Sequence, residues 1–123
     1  MRTRQIQLLI AFVFFILGGW ALLLPDSVIQ LCLREEYRNG PALAFVMGCF
    51  GAQALIAGVF AATANFTRTT FIAYGLMLIG FLAFNIWFTL IDPVLTPLGG
   101  VADGIGNTIM ILACFYAARR AEQ

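Results

Sequence analysis

Four long apolar stretches, parted by short clusters of charged residues, proline and glycine, set the pattern of this chain. Arg4 and Asp26 bracket 21 residues without a charged side chain, and Ile6 to Leu24 among them is almost wholly apolar. A helix rises about 1.5 Å per residue, so roughly 20 residues cross the hydrocarbon core of a bilayer. The pattern therefore predicts a first transmembrane helix over 6–24. A second is expected over 42–64, opened by Pro41, whose fixed φ suits a first helical turn. A third, over 69–91, is stopped by Asp92-Pro93. The fourth, over 97–118, is Gly-rich at its start and carries one acid, Asp103. The expected fold is an all-α integral membrane protein, a four-transmembrane-helix bundle forming a single membrane domain over 1–123.

The longest polar stretch is the first connection, 25–41. Asp26 or Ser27 as an N-cap and Glu35 near the end predict a short amphipathic helix in this first external loop, lying on the membrane surface. Val28, Leu31 and Cys32 would share its apolar face, and Glu35 with Arg38 would form an i, i+3 ion pair. The Met-Arg-Thr-Arg start would also suit a secretory signal, but the apolar stretch is too long and no small-x-small cleavage site precedes Pro25. A faint repeat relates the two halves: Pro41 and Phe60-Ala61-Ala62 have the spacing of Pro97 and Tyr116-Ala117-Ala118.

Composition strengthens the membrane reading. At 62% hydrophobic, 11% charged and mean hydropathy +0.94, a chain of 123 residues cannot hide its apolar groups in a water-soluble fold, so lipid must cover them. The basic residues give an orientation. Arg2, Arg4, Arg68, Arg119 and Arg120 fall on one side of the expected bundle, Arg34 and Arg38 on the other. Basic loops stay cytoplasmic, so both termini are expected inside a cell membrane. The compact loops point to a bacterial inner membrane. Trp20 and Trp87 near the external ends, and Tyr116 near the internal one, fit headgroup belts.

Charge and residue inventory also exclude chemistry. A net charge of +1 with no basic run removes nucleic acid as a partner. The absence of His removes the commonest general base and metal or haem ligand, and no cofactor is expected. Cys32, Cys49 and Cys114 show no metal-ligand spacing, so no metal site is expected either. An enzyme acting on lipids would have only Asp92, Asp103 and Glu35-Glu36 to work with, which leaves no catalytic residue to nominate. Small multidrug transporters and fluoride channels share the size and helix count, but the first helix lacks a carboxylate and no Gly-Gly-x-Thr-Thr-Phe filter occurs.

Two features remain. The one ionisable residue well inside an expected span is Asp103, and such an acid is costly enough to be a functional candidate. Asn107 follows it at i+4; Asn85, on the third helix, lies at nearly the same distance from the Asp92–Thr96 link, so these residues are expected to meet. Gln53 of the second helix would extend this polar intramembrane cluster. The second feature is small residues: Gly100 and Gly104 form a G-x-x-x-G, and Gly48, Ala52, Ala54, Gly58 and Ala62 line the second helix, as close helix packing in lipid requires. The expected partners are the lipid bilayer and other membrane subunits, or a second copy. The expected role is a non-enzymatic accessory or scaffolding subunit; the alternative is a small oligomeric channel or transporter with a polar path near Asp103 and Asn107.

Overall fold

The structure is a computed structural model that describes residues 2–121. Helix α1 (Thr3–Leu23) is followed by α2 (Pro25–Cys32), a 3-10 turn (Glu35–Tyr37), α3 (Ala42–Thr63), α4 (Arg68–Ile86) with a π-helical end (Trp87–Ile91), and α5 (Pro97–Arg120). Four of these helices are long and apolar enough to cross a membrane: α1, α3, α4 with its π end, and α5. Their apolar residues encircle α3, α4 and α5 rather than forming one stripe, which is the pattern of helices with no water-facing side.

The helices pair as two hairpins, α1 against α3 and α4 against α5, and the hairpins meet mainly along α1 and α5. The best-packed region is the end of the bundle that holds the chain termini. There Ile6 and Ile10 of α1, Ala61 of α3, Phe71 of α4 and Cys114 and Ala117 of α5 are buried in one cluster. Polar groups close the same end. Gln7, only 4% exposed, donates to the Ala61 and Ala64 carbonyls, and Arg4 donates to Ala62 O at 2.8 Å. These carbonyls lie at the C-terminus of α3, where no helical N–H remains to bond them and where the helix dipole favours a cation. Sequence reading passed over Gln7.

The opposite end is laced through its loops. Thr96 N donates to Cys32 O, Thr96 Oγ1 to Leu31 O, Arg34 N to Val94 O and Arg34 Nε to Leu95 O, at 2.6 to 3.0 Å, around an isolated antiparallel bridge between Leu33 and Leu95. This lacing explains why α2 is shorter than expected. The chain turns extended at Leu33 to pair with Leu95, so the helix stops at Cys32 rather than continuing to Glu35. Neither Asp26 nor Ser27 caps it. Pro25 occupies the first helical position, and Ser27 Oγ instead accepts from Trp20 Nε1 at 2.6 Å, tying α2 to α1. The inward residues of α2 are Val28 and Ile29, with Cys32 half-buried, while Leu31 is 48% exposed. Arg38 does not bond Glu35; its guanidinium donates to Leu33 O and Gln30 Oε1.

Close helix packing is present, in part at expected residues such as Gly58, but its tightest contact is at Gly18 and Gly51, which were not among them. A Cβ placed on Gly51 would come 2.5 Å from Leu22 N and 2.7 Å from Gly18 O, so α1 and α3 touch backbone to backbone. Gly51, Ala54, Gly58 and Ala61 form the packed edge of α3, at i, i+3, i+7 and i+10. Ala54 and Gly58 were expected there; Gly48 is not in contact with a neighbour, and Ala52 and Ala62 are only half-buried. In α5 a Cβ on Gly100 would fall on the Thr89 side chain. On Gly104 it would lie 3.6 Å from Asn85 Oδ1, an ordinary contact. The G-x-x-x-G thus makes room for one side chain of α4 and does not bring two backbones together.

Candidate functional site

The short link from Asp92 to Thr96 makes α4 and α5 antiparallel neighbours. Asp92 N closes the π turn on Trp87 O, and the Val94 and Leu95 amides both donate to Phe88 O, which compacts the link. Thr96 then starts α5, its Oγ1 accepting from Gly99 N at 3.1 Å. From this pivot Asn85 and Asp103 are each about nine residues away, so they arrive at one depth.

They meet. Asn85 Nδ2 donates to Asp103 Oδ2 at 2.8 Å, and Asn107 Nδ2 donates to the same oxygen at 3.0 Å. Both asparagines are buried, 5% and 6% exposed. A carboxylate only accepts hydrogen bonds, so both amides must present their NH2 groups to it. Oδ1 accepts neither of these bonds, and no ion pair reaches Asp103 among the described residues. The site is therefore a carboxyl group braced by two neutral donors on one oxygen, with the other oxygen outside both bonds.

Gln53 does not join this group. It lies two residues beyond Gly51, on the exposed side of α3, and the packed edge of that helix turns to α1. Helices α3 and α5 are on opposite sides of the hairpin contact, which the sequence pattern could not reveal because α3 is apolar on every side.

Asp103 itself is exposed, although it lies on the packed stripe of α5. Asn107, Met110 and Cys114 follow it along that stripe at spacings of four, seven and eleven residues, and are 6%, 5% and 0% exposed. The matching stripe of α1 behaves in the same way: Ile6 and Ile10 are 1% and 0% exposed, whereas Leu17 is 37% exposed. Since α1 and α5 run antiparallel, both changes occur toward the α2 end. Leu17 and Asp103 are thus exposed between the cluster near the termini and the residues Gly18, Ala21 and Gly100, which are buried further toward α2.

At that end of the bundle α2 packs on α1, α3 and α5. A Cβ on Gly99 would sit 2.9 Å from Cys32 Cα, so α2 rests directly on the first turn of α5. Burial, and secondarily the Asp103 carboxylate, push the Cys32 thiol above its ordinary value. The other acids among the described residues do not assemble with Asp103: Asp26 on α2 and Glu35, Glu36 and Asp92 in the connecting segments are all exposed. Among the described residues no group of three or more His, Cys, Asp or Glu side chains could hold a metal ion.

Two open grooves lie elsewhere on the surface. One, of about 470 Å³, runs between α4 and α5 past Asn85, Thr89, Gly100, Gly104 and Thr108. Thr89 Oγ1 is buried there without a hydrogen-bond partner. The other, of about 480 Å³, lies where α3 and α4 fail to close on each other, and is lined by Phe50, Leu76, Met77, Gly80, Phe81 and Phe84. Comparison with known proteins gives no match to a family model, to a curated protein or to a solved structure.

Proposed function

We propose that this chain is a multi-pass protein of the cell membrane, with both termini cytoplasmic, and that it serves as a non-enzymatic accessory or scaffolding subunit of a membrane assembly. The observation that carries this reading is the groove between α3 and α4. Consecutive helices joined by a short link ordinarily close on each other, yet here they leave an apolar trough with Phe50, Phe81, Phe84 and Met77 on its walls and Gly80 among its lining residues. Aromatic residues and Met are the side chains enriched at the buried centres of protein interfaces, and a glycine lets a neighbouring helix approach. The test is purification from native membranes in mild detergent, with the stoichiometry of whatever remains bound. Wild-type chain that keeps a larger complex, and loses it on Gly80→Leu, supports the reading. Recovery of a bare monomer from native membranes overturns it.

A second reading, a small oligomeric channel or transporter, draws on the exposure of Asp103 within a helix of spanning length. A polar path would run past Asp103 and Asn107 and between copies of the chain. In proteoliposomes it requires pH- or cation-dependent flux that Asp103→Asn abolishes without altering folding. Equal flux from wild type and variant removes it.

A further inference from the structure

We infer that Asp103 is the docking point for a cationic side chain, lysine or arginine, carried on a membrane-spanning helix of a partner subunit. This inference rests on the accessory-subunit reading and gives it a chemical anchor.

Three observations point to it. The carboxyl group is braced but has no basic partner among the described residues: two amide donors share Oδ2 while Oδ1 takes part in neither bond. It is also exposed, although its neighbours on the same stripe of α5, Gly100, Asn107, Met110 and Cys114, are buried. Finally, the chain supplies no counter-charge at that depth. Its seven basic residues are Arg2, Arg4, Arg34, Arg38, Arg68, Arg119 and Arg120, all at the ends of the long helices or between them. Arg34 and Arg38, on the α2 side, direct hydrogen bonds to Leu95 O, Leu33 O and Gln30 Oε1 rather than to Asp103.

Acids within membrane spans pair with a basic group or line a water-filled path. A second copy of this chain carries its basic residues only at the ends of its long helices or between them. The complement is therefore assigned to a different chain, with pairing between two copies an outcome of the test below. Asp103 lies six residues after Pro97, about 9 Å into α5. The partner's Lys or Arg is accordingly in the outer third of its helix, within reach of a long flexible side chain.

The experiment uses full-length labelled protein in liposomes, titrated by energy transfer with synthetic Leu/Ala transmembrane peptides. One peptide carries a single Lys about six residues from the end matching the α2 side, a second carries it near the other end, and a third has Leu throughout. The depth-matched Lys peptide is expected to bind wild type at least about tenfold tighter than the Leu peptide. Asp103→Asn should erase that preference, and Asp103→Glu should restore part of it. Equal binding of Lys and Leu peptides, a preference that survives in Asp103→Asn, or equal binding of the two Lys peptides overturns the inference. If Asp103→Asn fails to fold, the comparison of the two Lys positions on wild type decides. Self-association between two labelled copies that is lost on Asp103→Asn assigns the site to a second copy and also overturns it. A native partner complex that survives Asp103→Asn overturns the Asp103 inference while leaving the accessory reading intact. Wild type that binds the matched Lys peptide yet purifies from native membranes as a bare monomer supports the Asp103 site and overturns the accessory reading.

Discussion

Gly18 and Gly51 hold α1 and α3 in backbone contact. A Cβ on Gly18 would lie 2.8 Å from Gly51 O, and one on Gly51 would lie 2.7 Å from Gly18 O. Because the obstructing atoms are main chain, neither helix can yield by turning a side chain aside. The two helices would have to separate along the hairpin.

Gly51→Ala should consequently destabilise the protein by about 1 to 3 kcal/mol, the usual range for overpacking a close contact. Gly48→Ala and Gly19→Ala, whose Cβ positions meet nothing within 4 Å, should stay within about 0.5 kcal/mol of wild type. Thermal unfolding in detergent measures all three. Equal melting temperatures across the set would show that α1 and α3 are not in backbone contact.

The same comparison shows what the sequence made legible. The four long helices are readable because each is an unbroken apolar run of spanning length, bounded by Arg4, Pro41, Asp92-Pro93 and Pro97. Asn85, Asp103 and Asn107 are readable because their distances from the Asp92–Thr96 link are matched. Which glycines touch was not readable. A helix that is apolar on every side gives no sign of which face meets protein and which meets lipid, so Gly51 and Gly48 look alike in sequence. The lacing of Leu33 to Leu95 was equally hidden, since it joins segments 62 residues apart through main-chain atoms that carry no sequence signature.

At Asp103, size and hydrogen bonding separate two substitutions. Asp103→Asn keeps an oxygen to accept from Asn85 and Asn107, and should fold as wild type does. Asp103→Leu strands the Asn85 amide, which is only 5% exposed, and a buried unpaired donor costs about 1 to 3 kcal/mol. Thermal stability of the two variants, each beside wild type, checks this. Asp103→Leu as stable as Asp103→Asn would mean that the two amide bonds do not hold α4 to α5.

Orientation is open to direct labelling. With Arg2, Arg4, Arg68, Arg119 and Arg120 on one side of the bundle, an impermeant thiol reagent applied to intact cells should modify a cysteine placed at Glu36 and spare one placed at Glu122. The reverse pattern would invert the topology proposed above. It would also move Asp103 to the cytoplasmic third of the membrane.

Cys32 reports on the charge of Asp103 without any added probe. Its thiol is raised above its ordinary value by burial first and by the Asp103 carboxylate second. Only the thiolate reacts with alkylating reagents, so Cys32 should label slowly at neutral pH and accelerate only in the alkaline range. Removing the negative charge removes the second cause. In Asp103→Asn the inflection of the rate–pH profile should therefore move to lower pH, and the rate at any pH below it should rise. The plateau reached at high pH reports access alone and should match wild type. The sign for stability follows from the same shift. A group whose folded value is raised contributes fully below its unfolded value, near pH 8.5, and loses that contribution as pH climbs through the folded value. Wild type should accordingly lose stability in alkali more steeply than Cys32→Ala. The measurement is alkylation followed by mass spectrometry in a Cys49→Ala background. Cys114, 0% exposed in the core, is left in place. An inflection that does not move on Asp103→Asn would mean that Asp103 carries no charge beside Cys32, and the case for a cationic partner would lose its electrostatic basis.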